Sequence, residues 1–483
     1  MSTGKFSNFI WRLMERMLSQ IVALVVSVVL ARLLMPEDYG VVSMVMIFIA
    51  FADILITSGL PSALIQKQNT EKIDFSSVFY CNLILSIIIY IVLFFTSPYI
   101  SKFFKMPILT SVIRVLGIKV IIASISSVQL AYITKNMMFK KFFWVTLIGT
   151  VLSGAAGIFL AYSGKGVWAL VFQQLIAVIV STVLTFVFVK WRPSLAFSLQ
   201  RLKSLFKYGW KILFEGVFET LTVQVRNLII GKVYTSDDLG YYTKSQQFPN
   251  LIVNNITVAM SSILFPLMSK VQDDKEKVKG IMRFSTKISS YIVFPIVMGL
   301  AIVAEPFVRV VLTDKWLECV PYIQIYCITQ VATIGMITRH DALKSIGRSD
   351  VFMYEHIIYR VVVLSILILV YKISVMAIAL SLIAGTIIMS ITVGITSKKF
   401  NGYRFREQLW DVLPIFLACV VMAVPVYFIG TLNFAPIVIL ALQVLAGFIT
   451  YLIVSIIFKL EGYVYIRDMI KRFLHSRKET KNV

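Results

Sequence analysis

Apolar residues in this chain accumulate in long runs separated by short polar segments. Ile21–Leu30, Leu83–Phe95 and Ile357–Val370 are almost free of polar side chains. Each belongs to a segment of about 20 residues, and at ~1.5 Å rise per residue such a helix crosses a hydrocarbon layer ~30 Å thick. The pattern predicts helical spans near residues 10–34, 40–60, 77–97, 109–133, 143–163, 166–189 and 208–233. It continues with 240–265, 284–304, 320–343, 352–371, 374–396, 410–430 and 434–458. The expected fold is an all-α polytopic membrane protein of about 14 transmembrane helices. Composition agrees: 58% of the 483 residues are hydrophobic and 15% are charged, with a mean hydropathy of +0.85. A soluble domain carries roughly 25% charged residues.

The net charge of +23 changes the picture through its placement. Lys and Arg gather on every second loop: Lys67 and Lys72, then Lys135, Lys140 and Lys141, then Arg192, Arg201, Lys203 and Lys207. The series resumes with Lys270, Lys275, Lys277 and Lys279, with Lys344 and Arg348, and with Lys398, Lys399, Arg404 and Arg406. A positive-inside bias of this kind predicts both termini in the cytoplasm and an even number of spans. It accounts for the basic charge without a nucleic-acid partner. The first apolar run continues past Leu34, longer than the ~7–15-residue core of a signal peptide, and no small-x-small cleavage site follows, so the first helix is expected to stay in the protein. Cys81, Cys319, Cys327 and Cys419 lie within or beside apolar segments with no C-x-x-C spacing, which supports neither a disulfide framework nor a metal site.

The segments also echo one another. "ARLLMPEDYGVVSM" (Ala31–Met44) answers "GKVYTSDDLGYYTK" (Gly231–Lys244), pairing Arg32 with Lys232, Asp38 with Asp238 and Gly40 with Gly240. Glu15 aligns with Glu215, "SPYISKFF" (Ser97–Phe104) with "EPFVRVVL" (Glu305–Leu312), and "GVWAL" (Gly166–Leu170) with "SVMAI" (Ser374–Ile378). This predicts a six-helix lobe over 1–190, a basic linker over 191–207 and a second six-helix lobe over 208–397. Two further helices over 398–458 and a basic tail over 459–483 complete the chain. Six is even, so the repeat is parallel about an axis along the membrane normal. The recurring turn is then the first extracytoplasmic hairpin of each lobe. Asp38 and Asp238 would accept from the N–H groups of the following helix, and Gly40 and Gly240 would relax the backbone at the turn.

Ionisable groups inside spans are costly, ~2.5–3.5 kcal/mol at a helix centre, and so face a cavity or a partner. In the seventh predicted span Glu215, Glu219, Thr222 and Arg226 form one helical stripe at i, i+4, i+7 and i+11. The first span carries Arg12, Glu15, Arg16 and Ser19, and Asp53, Arg114, Lys119, Gln129 and Gln173 lie in others. Each has a plainer reading: Arg12 and Arg16 can snorkel or pair with Glu15, and Glu215 can pair with Lys211 on its own helix. Arg339, His340, Glu355 and His356 flank a loop, which suits an interfacial role. The chain has no P-loop, H-E-x-x-H, G-x-S-x-G or G-x-G-x-x-G, which argues against an ATP-driven pump and against an enzyme. "SGKG" (Ser163–Gly166) reads as a tight turn.

Several segments in order carry a family likeness: "ARLLMPEDYGVVSM", "GLPSALIQK" (Gly59–Lys67), "GKGVWALVFQQL" (Gly164–Leu175), "YGWKILFEG" (Tyr208–Gly216), "NLIIGKVYTSDDLGYY" (Asn227–Tyr242), "LFPLMSKVQDDKEK" (Leu264–Lys277) and "LKSIGRSD" (Leu343–Asp350). The set resembles the Wzx-type polysaccharide flippases of the multidrug/oligosaccharidyl-lipid/polysaccharide exporter superfamily. The chain departs from that pattern before "LIIGK", where Arg226 and Asn227 replace an acid, and in "LTDKW" (Leu312–Trp316), which lacks the usual Gly. The resemblance implies a flippase in the inner (cytoplasmic) membrane for an undecaprenyl-pyrophosphate-linked oligosaccharide, acting between cytoplasmic glycosyltransferases and an external polysaccharide polymerase, and working as a monomer. On that reading Arg12, Arg16, Lys119 and Arg226 would bind the diphosphate. Glu15, Glu215 and Glu219 would couple transport to a H⁺ or Na⁺ gradient, with no other cofactor and no metal. A cation-coupled small-molecule exporter of the same superfamily and a non-transporting scaffold for glycan enzymes are the alternatives.

Overall fold

A computed structural model describes residues 3–468 and residue 471, apart from the side chains of residues 3–16 and of Ser349. Among the described residues every regular element is helical. The first compact unit, residues 1–243, holds α1 (Thr3–Leu33), α2 (Pro36–Thr57), α3 (Gly59–Gln66), α4 (Lys72–Phe104), α5 (Ile108–Lys135), α6 (Phe139–Tyr162), α7 (Val167–Phe188) and α8 (Leu199–Val233), and most of α9 (Ser236–Ser245). The second, residues 244–483, contains α10 (Gln247–Lys270), α11 (Lys275–Ile302), α12 (Ala304–Val311), α13 (Cys319–Ser345), α14 (Ser349–Val370), α15 (Val375–Asn401), α16 (Phe405–Gly430) and α17 (Pro436–Ile457).

Every predicted span coincides with helix, and fourteen is an approximate count. By length and apolar composition 12 spans qualify among the described residues, α2–α3 and α9–α10 each counting as one. The shorter apolar stretch Met17–Leu33 accounts for the first predicted span. The seventh, α8, is long enough at 35 residues and is absent from the twelve; its charged side chains dilute it.

In the first unit α1 packs on α6, α4 on α5, α7 on α5 and α6, and α8 on α2, α3 and α4. Apolar side chains such as Ile84, Ile88 and Phe95 of α4 are exposed, while Ser77, Asn82 and Ser86 of the same helix are buried. Ser86 donates to Ser124 Oγ at 2.9 Å and Asn82 Nδ2 to Ser127 Oγ at 3.2 Å, both on α5. In lipid the apolar face needs no shelter, so small and polar residues form the helix–helix contacts. The segment 191–207 is fastened to this unit. Trp191 packs against Phe75 and Phe79, Ser194 and Ser198 donate backbone N–H to Ser76 Oγ and Ser77 Oγ, and Arg201 pairs with Glu71 at 2.9 Å. Asp74, fully buried, receives Lys67 at 2.9 and 3.0 Å.

The echoed hairpins meet inside this unit. A Cβ on Gly40 would lie 1.8 Å from Ser236 O, and one on Gly240 would lie 2.1 Å from Pro36 O. Ser43 and Thr243 are hydrogen-bonded at 3.1 Å. Neither glycine has a positive φ. The expectation that they relax a turn is therefore corrected: both are helical, and they are glycines so that two backbones can cross in contact. The acids do cap, from the third helical position, Asp38 accepting from Met35 N at 3.0 Å and Asp238 from Thr235 N at 3.1 Å. Positive φ belongs instead to Gly164 and Gly166, the predicted tight turn between α6 and α7.

In the second unit α11 packs on α13 and α16, α13 on α10 and α15, α14 on α15, and α16 on α17. Cys319, Cys327 and Cys419 are buried and Cys81 is half-buried, all four with free thiols.

Candidate functional site

Charged and amide groups at membrane depth in the first unit meet across α2, α5 and α7. Lys119 of α5 lies roughly ten residues into its predicted span, ~15 Å along the helix axis. Its Nζ stands 3.8 Å from Asp53 Oδ2 on α2 and 3.4 Å from Gln174 Oε1 on α7. The side chains keep 19% and 31% of their surface exposed for Lys119 and Asp53. A loosely held pair of this kind, open on one side, can exchange its internal partner for an incoming anion. Arg114, one turn and a little further toward the start of α5, is occupied: Nε donates to Ser97 Oγ at 3.1 Å, and the guanidinium lies 4.2 Å over the Phe94 ring.

Helix α8 carries the predicted stripe unevenly. Thr222 and Arg226 are buried, whereas Glu215 and Glu219 are exposed. A 3.6-residue period lets i and i+11 drift slightly apart, and α8 is covered unequally along its length by α2, α3 and α4. Arg12, Glu15 and Arg16 fall among the side chains outside the description. Gln129 is structural, its Nε2 donating to Trp191 O at 3.1 Å. The candidate Gln173 packs on Gly157, and it is the neighbouring Gln174, not among the sequence candidates, that reaches Lys119. Adjacent helical residues differ by ~100° in direction, and sequence alone did not fix which glutamine faced α5.

In the second unit the charged groups at the basic end are tied together. Asp411 of α16 accepts from Arg283 Nε at 2.8 Å and Nη2 at 2.7 Å, and from the Tyr403 hydroxyl at 2.9 Å, with Lys287 3.3 Å away. Burial pushes the Tyr403 phenol well above its ordinary value, and the charge of Asp411 adds to the shift. Lys279 pairs with Glu407 at 3.1 Å. Glu355 is buried, with His340 Nε2 at 3.3 Å and the Thr396 hydroxyl donating to it. His340, Glu355 and His356 thus form one cluster across α13 and α14, with His340 and His356 ring centroids 5.2 Å apart. A groove of about 750 Å³ runs along α11, α16 and α17, lined by Pro295, Leu300, Met422, Leu440 and Phe448 among others. No cluster of three or more His, Cys, Asp or Glu suited to a metal occurs among the described residues.

A polytopic helical bundle with a few charged and amide groups at membrane depth has the architecture of a membrane transporter. The fold is shared with a solved structure of the lipid II flippase MurJ in an inward closed conformation, at a TM-score of 0.77 and 16% identity over 95% of this chain and 100% of that one. The family profile described as "Polysaccharide biosynthesis protein" matches residues 29–321, more than half of the chain, and the chain belongs to that family. Among its relatives are the succinoglycan biosynthesis transport protein ExoT of Rhizobium meliloti (strain 1021), 23% identical over 69% of this chain and 67% of ExoT, and the teichuronic acid biosynthesis protein TuaB of Bacillus subtilis (strain 168), 24% identical over 63% of each. The chain thus spans about two thirds of the length of these relatives. The Wzx-type likeness read from the motifs holds.

Proposed function

We propose that this protein is a flippase carrying an undecaprenyl-pyrophosphate-linked oligosaccharide from the cytoplasmic to the outer leaflet for surface polysaccharide biosynthesis, by alternating access of two lobes. The observation that carries this reading is the Lys119–Asp53–Gln174 cluster, a half-open cation site at membrane depth. A sugar diphosphate cannot cross hydrocarbon unaided. An ammonium and an amide held near the bilayer middle supply charge-assisted hydrogen bonds in place of water. Arg226 is the second cation, its planar guanidinium suited to paired phosphate oxygens. The apolar groove along α11, α16 and α17 suits a polyprenyl tail. Membership of the polysaccharide biosynthesis family and the fold shared with MurJ support the same reading.

The protein then resides in the cytoplasmic membrane as a monomer with both termini inside, between glycosyltransferases that build its substrate and a polymerase that consumes it. Transport draws on a H⁺ or Na⁺ gradient through Glu215 and Glu219, exposed and one turn apart on α8, which can share a cation on one side and release it on the other.

Surface glycan at equal protein level tests the cluster. Lys119→Gln should lower it about tenfold or more, since one charge-assisted hydrogen bond of this kind is worth at least ~1.4 kcal/mol, and Lys119→Arg should keep part of it. Normal glycan in Lys119→Gln would remove the cluster from transport. For coupling, an imposed pH or Na⁺ gradient should speed flipping in wild type and not in Glu219→Gln; stimulation that survives the substitution excludes Glu219.

A further inference from the structure

Helices α11, α13, α15 and α16 enclose a second groove in the second unit, of about 710 Å³, which plays no part in the mechanism above. Its walls are apolar along most of their length. Ile387, Ile391, Leu409 and Phe416 line it and are also among the exposed large hydrophobic side chains, so it opens toward lipid.

One end is different. Arg339 lies in the wall with 1% of its surface exposed. Its Nε donates to Gly335 O at 3.1 Å, while Nη1, buried, finds no hydrogen-bond partner among the described residues. Gln408 Oε1 and Ser290 Oγ line the same groove, are also buried, and likewise lack a partner there. Three unsatisfied polar atoms thus line one groove, and burying a polar or charged group without a partner is costly. Gly335 makes room for the amide, since a Cβ there would lie 1.9 Å from Gln408 Nε2.

Among the acids nearby, Asp411 and Glu407 are engaged by bases, while Glu355 Oε2 and Asp341 Oδ2 are buried and accept no hydrogen bond among the described residues. Asp411 holds Arg283 and Lys287, Glu407 holds Lys279, and Glu355 is met by His340 and Thr396. Asp341 is two residues on from Arg339, and side chains at i and i+2 do not face each other. Arg339 therefore forms no ion pair among the described residues. Arg406, exposed, stands at the rim. The polar end lies toward the finish of α13 and the start of α16, beside the basic loops. From there the apolar walls run along α16 from Leu409 to Phe416.

We propose that this groove binds one membrane phospholipid with an anionic headgroup, its phosphate accepting from Arg339 with Arg406 at the rim and its acyl chains lying on the apolar walls. Ser290 and Gln408 meet the remaining polar atoms of the headgroup. A free phosphate would leave the walls uncovered, and a zwitterionic lipid would bring a quaternary ammonium, along with its phosphate, beside the two guanidiniums of Arg339 and Arg406. The site is independent of whether the protein flips lipid-linked sugar, and binding is read without transport.

The test is native mass spectrometry of the full chain, titrated with phosphatidylglycerol or phosphatidylcholine of identical acyl chains. One phosphatidylglycerol should be retained with a preference on the order of fivefold to tenfold, the scale expected for one or two basic residues at a lipid surface. Arg339→Gln should abolish the preference. A buried arginine can be hard to replace, so Leu413→Trp, which keeps Arg339 and fills the groove, is the second variant and should weaken both lipids. Equal binding of the two lipids to wild type, a preference that survives Arg339→Gln, or undiminished binding to Leu413→Trp would overturn the proposal. So would full displacement by millimolar inorganic phosphate, which marks an anion site alone, or one-for-one displacement by undecaprenyl phosphate, which assigns the groove to the substrate's path.

Discussion

Thr313 holds φ at 84° and ψ at 167°, a region that only glycine occupies without strain, at a cost of order 1–3 kcal/mol. It sits between α12 and the buried Trp316, where Trp316 N donates to Thr313 O at 3.1 Å. The loop Leu312–Trp316 is also where the family likeness led one to expect a glycine. Thr313→Gly should raise the stability of the detergent-solubilised protein by about 1 kcal/mol, read as an upward shift in the thermal melt. An unchanged or lower melt would mean that the threonine is not strained. At this scale the sequence told which residues were chemically costly in a membrane, among them Lys119, Asp53 and Arg226. It did not tell which way each faced. That depends on helix rotation, as Gln173 and Gln174 show, and on which neighbours cover a helix, as the exposed Glu219 and buried Arg226 show.

At the scale of the element, the helices were legible because hydrocarbon imposes a length and a composition on each. Their interruptions were not: the predicted spans at 40–60 and 240–265 are each built from two helices, breaking at Ser58 and Gln246. The glycines of the echoed turn were visible as a repeat, but their reason was not, because a crossing of two backbones 200 residues apart leaves no local signature. Gly40→Ala should be severely destabilising, by ~3 kcal/mol or more, since Ser236 O is backbone and cannot step aside. Gly280, exposed in the first turns of α11 with nothing within 4 Å of its would-be Cβ, is the contrast. Gly280→Ala should stabilise by about 0.5–1 kcal/mol. Folded yield and thermal melts of the two variants decide it; a Gly40→Ala protein as stable as wild type would contradict the crossing.

For the whole molecule, two divisions of the chain coexist. The internal repeat separates 1–190 from 208–397, while the contacts group residues 1–243 and 244–483. They differ over α8 and most of α9; α8 repeats α1 in sequence yet packs on α2 and α3. The packing is close: a Cβ on Gly209 would lie 2.6 Å from Gly59 O, and one on Gly216 would lie 2.9 Å from Ile54 Cδ1. The repeat records correspondence between segments and the contacts record packing, so the pattern of residues predicted the first and not the second. The proposed function is, at bottom, movement of a lipid-linked oligosaccharide across a bilayer. The direct measurement reconstitutes the purified protein in vesicles carrying undecaprenyl-pyrophosphate-linked oligosaccharide on the inner leaflet and follows its exposure to an impermeant glycosidase outside. The account predicts exposure that depends on the protein and falls sharply in Lys119→Gln. Exposure no faster than in protein-free vesicles, under an imposed H⁺ or Na⁺ gradient as well as without one, would contradict it.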